Sequence, residues 1–90
     1  MSEREIILLL SREIAFLETE VQRLELQRSL LSKQEFWGAE LSRLRWMQDL
    51  YEINEKIANL KQRQDELKKR RFFVLRDFIE KIERRQNEKK

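Results

Sequence analysis

SKQEFWGAEL, residues 32–41, holds the only glycine of a 90-residue chain that contains no proline. Whether this stretch turns the chain or lets one helix run through it decides the fold. The sequence before it has a clear period. Ile7, Leu10, Ile14, Leu17, Val21, Leu24, Arg28 and Leu31 follow alternating steps of three and four, and seven of these eight are apolar. That is a heptad seam. A second seam runs through Trp46, Leu50, Ile53, Ile57, Leu60, Gln64, Leu67, Arg71, Val74 and Phe78, with eight of ten positions apolar. It does not continue the first, because counting sevens from Ile7 and Leu10 lands on Ser42, Arg45, Asp49 and Glu52. A register slip of this kind marks either a stutter in one coil or a chain that has reversed.

Local signals favour reversal. Ser2 followed by Glu5 reads as a capping box that starts a helix near residue 3. Ser32 followed by Glu35 repeats that pattern where a new helix would begin. Leu31 and Phe36 then stand at the two positions of a hydrophobic staple. With Ser32 as the N-cap, Gly38 falls inside the second helix, at a cost of about 1 kcal/mol relative to Ala. The expected architecture is all-α: an antiparallel helical hairpin, or coiled coil, with a long second helix. Helix 1 is expected over about 3–30, a turn over about 31–33, and helix 2 over about 33–87, all in one domain spanning 1–90. Lys61–Glu66 is a run of six polar residues that would allow a further turn and a three-helix monomer. The heptad needs an apolar residue there only at position 64, so a continuous helix is the preferred reading.

Composition agrees with helices and excludes much else. Charged residues make up 41% and hydrophobic ones 40%, which is the balance of long helices rather than of sheets or loop-rich folds. With no Cys and no His, the chain lacks a disulfide framework, thiolate chemistry and the usual general base and metal ligand. No Gly-rich phosphate loop or motif-spaced nucleophile is present. The expectation is therefore not an enzyme, with no cofactor, no metal and no small-molecule substrate. The enzyme-like alternative would clamp a dianionic substrate with Arg12, Arg28, Arg43 and Arg45. The longest apolar run, Ile6–Leu10, is too short to span a membrane and follows an acidic start. A soluble cytoplasmic protein is expected.

Charge is unevenly placed. Residues 1–60 carry 8 Lys/Arg and 11 Asp/Glu, whereas residues 61–90 carry 12 and 6. The last third is thus a basic distal arm. Both helices also carry more apolar surface than one partner covers. Leu8, Ala15 and Leu26, then Leu9, Phe16 and Leu30, lie away from the first seam. Trp37, Leu41, Leu44 and Tyr51, flanked by Met47, form a second stripe on helix 2. Such helices sit inside bundles. If the turn lies at 31–33, the start of helix 1 lies opposite residue 60 or so and the seam over 64–82 has no partner. A homodimer of hairpins with a four-helix core, each basic arm lying along the other subunit, satisfies both. The candidate oligomer interface is Trp37, Leu41, Leu44, Trp46, Leu50, Tyr51, Ile53, Ile57, Leu60, Leu67, Leu75, Phe78 and Ile82, with Trp37, Trp46 and Tyr51 as packing anchors.

The segment KKRRFFVLRDFIEKIERR, residues 68–85, joins an apolar face to flanking cations. A basic amphipathic helix can dock into a partner's groove. Candidate partner-binding residues are Lys68, Lys69, Arg70, Arg71, Phe72, Phe73, Arg76, Arg84 and Arg85. Phe73 lies off the apolar stripe and is the best placed for a foreign contact. The functional expectation is a coiled-coil interaction protein, an adaptor, assembly factor or inhibitor, working on a protein partner. The alternative is a nucleic-acid-binding accessory protein that uses the same basic arm.

Overall fold

The computed structural model describes residues 2–33 and 40–88. Two helices account for nearly all of them: α1, Glu3–Ser32, and α2, Glu40–Glu88. They form an antiparallel hairpin 77 × 19 × 14 Å in extent, the length set by the 49 residues of α2 at about 1.5 Å per residue. Among the described residues there is no strand. The helix α2 runs unbroken through Lys61–Glu66, so no second turn interrupts it there. No described helix is long and apolar enough to cross a membrane.

The Ser2 cap is realised. Its Oγ accepts from the Glu5 amide at 3.2 Å, and its carbonyl accepts the first helical bond from Ile6 N at 3.1 Å. The corresponding reading of Ser32 is overturned. Ser32 is the last residue of α1, its hydroxyl donates to Ser29 O at 2.9 Å, and Lys33 forms the C-cap. A serine already inside one helix cannot cap the next, because an N-cap needs an extended backbone. Glu35, Phe36, Trp37 and Gly38 lie outside the described residues, and so does the expected staple.

Both seams face inward. None of the eight seam positions of α1 or the ten of α2 is exposed. Val21, Leu24 and Ile57 form the core cluster, with Ile53 and Leu60 packed against it. With Ile57 against Leu24, antiparallel alternation sets Leu50 level with Leu31 and Val74 level with Ile7. Polar contacts at both ends agree with that alignment. Trp46 Nε1 donates to Leu31 O at 2.7 Å, Arg71 Nη1 donates to Ser11 Oγ at 3.3 Å, and Lys81 pairs with Glu3.

This alignment corrects a central expectation. The seam over 64–78 is covered by the N-terminal half of the chain's own α1, and no free arm begins at residue 61. The error followed from placing the turn at 31–33. In the hairpin Ser32 ends level with the region of Trp46 rather than beside Lys33, which slides α1 along α2 towards the C-terminus. What overhangs is short: the first turns of α2 before Trp46, and residues beyond Ile82.

Candidate interaction surfaces

Heptad letters make the surfaces legible. In α1 let Ile7 be a and Leu10 d; in α2 let Leu50 be a and Ile53 d. In an antiparallel pair, e positions of both helices share one flank and g positions the other. The cross-helix ion pairs follow this rule. Lys61 and Glu25, both e, meet at 3.1 Å, and Arg63 and Glu13, both g, meet at 3.0 Å. Arg28 Nη1 donates to Asn54 Oδ1 at 3.1 Å, so its charged head leaves the seam edge while its stem stays against it. These contacts are largely exposed, so each contributes under about 1 kcal/mol. Together they distinguish one alignment of the two seams from the neighbouring ones.

The expected oligomer-interface residues divide into two groups. Trp46, Leu50, Ile53, Ile57, Leu60, Leu67 and Phe78 are buried or half-buried in the seam against α1. Leu44, Tyr51, Leu75 and Ile82 are exposed, as are Met47, Phe72 and Ile79. Trp37 lies outside the described residues, and of Leu41 only its place in α2 is described. The exposed group occupies b and e positions of α2 and lies on the e flank. It runs Leu44, Met47, Tyr51, then Phe72, Leu75, Ile79 and Ile82, at alternating steps of three and four within each half. Leu8 of α1, also exposed, stands on this flank between Glu3 and Ser11, level with the distal half.

The opposite flank carries its apolar surface mainly on α1. Leu9, Phe16 and Leu30 share the c position and are 48%, 64% and 60% exposed. Phe73, also c, is their counterpart on α2, half exposed, with the Arg76 guanidinium 5.1 Å from its ring centroid. Phe72 and Phe73 stand edge-to-face at 5.7 Å yet lean to opposite flanks, since adjacent helical residues diverge by about 100°. The expectation that Phe73 stands off the main stripe agrees with this placement.

The basic residues do not converge. Arg71 is in the seam and bonds Ser11, while Lys68, Lys69 and Arg70 occupy e, f and g, three different directions. Arg76 lies near Asp77 and Glu80, at 3.9 and 4.0 Å. Arg84 lines a shallow groove of about 360 Å³ with Glu3, Ile6, Val74, Asp77, Glu80 and Lys81, and Arg85 lines a neighbouring one with Ser2, Glu3 and Phe78. Both grooves mix charges of either sign. Among the described residues no group of His, Cys, Asp and Glu could hold a metal ion. Of the arginines in the enzyme-like alternative, Arg28 is tied to Asn54. Arg12 is exposed on the outer face of α1, and Arg43 and Arg45 are exposed at the far end of α2.

No protein-family model matches the chain, and neither a curated protein nor a solved structure matches it. The surfaces themselves carry the functional argument.

Proposed function

We propose that this chain is a non-enzymatic coiled-coil interaction protein, an adaptor, assembly factor or inhibitor that works by helix-on-helix contact with a protein partner in the cytoplasm. One observation carries the reading. The hairpin closes its own seam, yet thirteen large apolar side chains stand exposed among the described residues, and most of them align in stripes along two flanks. Scattered apolar residues are ordinary on a surface, whereas aligned ones mark a docking face. A helix apolar on more than one side belongs to a bundle of three or more helices. The flank of Leu9, Phe16, Leu30 and Phe73 fits a foreign amphipathic helix, and Arg70 at its edge would set that helix's orientation.

The nucleic-acid alternative draws less support, because phosphate tracking needs cations on one face and the 68–71 run is spread around α2. Co-purification from the native host separates the two readings. The wild type is compared with a Phe16→Ala/Phe73→Ala double variant and with a Lys68→Glu/Lys69→Glu/Arg70→Glu triple variant. A stoichiometric protein partner lost only from the first supports the proposal. A nucleic acid lost only from the second, or the absence of any stoichiometric protein partner, overturns it.

A further inference from the structure

The e flank of α2 carries a pattern that specifies its own occupant. Its exposed positions alternate by three and four from Leu44 to Ile82. The large apolar residues are at the two ends, and Asn54, Ala58, Lys61, Asp65 and Lys68 fill the middle. Read in reverse, the stripe matches itself at its ends and centre, with Phe72 over Asn54 as the one layer that joins an aromatic ring to an amide. A two-fold axis beside Arg63 sets Leu44 against Ile82, Met47 against Ile79 and Tyr51 against Leu75, and at the centre it sets Lys61 against Asp65. Every layer pairs a b position with an e position, which is how two antiparallel seams interlock. We infer that a second copy of this chain docks here, α2 antiparallel to α2, forming a two-fold symmetric dimer. The inference deepens the proposed function by assigning this flank to self-association and leaving the Phe16–Phe73 flank for the foreign partner.

Charge decides the direction. A parallel, in-register pair would stack Lys61 on Lys61, Asp65 on Asp65 and Lys68 on Lys68, three layers of like charge. Antiparallel pairing replaces them with two Lys61–Asp65 attractions and lets the Lys68 stem lie over Ala58. Lys61 already meets Glu25 of its own chain at 3.1 Å, but its side chain remains 54% exposed, and an ammonium has three donors. The groove along Phe72, Leu75 and Ile79, about 330 Å³, accepts the Tyr51 end of the second copy. The interface is isologous and closes on itself, so it ends at a dimer rather than a filament.

The chain has no cysteine, so single spin labels can be placed at Gln48→Cys or Gln62→Cys, both exposed and beside the stripe. In the antiparallel dimer residue 62 nearly opposes itself, giving about 10–20 Å between labels. Residue 48 opposes residue 78, so its two labels lie about 45 Å apart along the axis. Asp65→Lys turns both central pairs into repulsions and should weaken the dimer about tenfold by sedimentation equilibrium, leaving the helical content of the hairpin unchanged. Short distances at both labels mean a parallel dimer and overturn the inference. So does an unchanged affinity in Asp65→Lys. A chain that stays monomeric at micromolar concentration overturns it as well, yet leaves the proposed function standing, because that rests on loss of a partner from the Phe16→Ala/Phe73→Ala variant.

Discussion

Ile57→Ala should strike the hairpin harder than any change on its flanks. Ile57 is the least exposed side chain of the core at 3%, lying on Val21 and Leu24 between Ile53 and Leu60. The substitution removes three carbons, or about 2.4 kcal/mol at roughly 0.8 kcal/mol per buried carbon. A cavity adds to that, although a two-helix core is open along both flanks and can partly collapse, so the total belongs near the lower end of the usual range of about 2–5 kcal/mol. Taking about 2.5 kcal/mol, and an unfolding entropy of roughly 2.1 cal/mol/K per residue over 90 residues, the melting temperature falls by about 13 °C. Ile79→Ala deletes the same atoms from a side chain already 46% exposed. It should cost under about 1 kcal/mol in dilute solution and more as concentration rises, if that flank is an association face. Thermal melts followed by circular dichroism over a hundredfold concentration range measure both. Equal losses for the two variants at the lowest concentration, or a loss under about 1 kcal/mol for Ile57→Ala, would refute the assignment of seam and flank.

Two further substitutions probe the seam. Gln64 is buried at an a position, level with Leu17, so Gln64→Leu should stabilise the fold by about 1 kcal/mol, seen as a higher urea midpoint at constant slope. Trp46→Phe keeps an aromatic ring but removes the donor to Leu31 O. It should cost about 1 kcal/mol by the same assay, and no loss would place that bond outside the native ensemble.

What the sequence made legible was periodicity. All the seam positions read from alternating apolar residues are those turned inward, including the two disappointing occupants, Gln64 and Arg71. That works because a heptad repeat is a local property, visible in one helix at a time. The relative alignment of two heptads is not local. Sliding α1 along α2 by whole heptads keeps every apolar layer nearly as good, and only contacts such as Arg71–Ser11 and Lys61–Glu25 distinguish the alternatives. Ser32 illustrates the same limit. Its spacing to Glu35 copies that of Ser2 to Glu5, but Ser2 has the extended backbone of an N-cap, whereas Ser32 completes the last turn of α1. For the candidate surfaces, the excess of apolar residues was readable, and so was the position of Phe73. Val74 and Phe78 were readable as seam positions, but the split that leaves Phe72, Leu75, Ile79 and Ile82 exposed on one flank was not. That split depends on which side α1 occupies.

The central claim is that one chain covers its own long seam nearly to the end of α2, leaving association to the flanks. Native-state amide hydrogen exchange along α2, in dilute solution, tests it most directly. Protection should be highest around Ile57, persist from Leu50 through Val74, and fall away beyond Ile82. Protection that stops near Leu60, with residues 64–78 exchanging like an isolated helix, would contradict it.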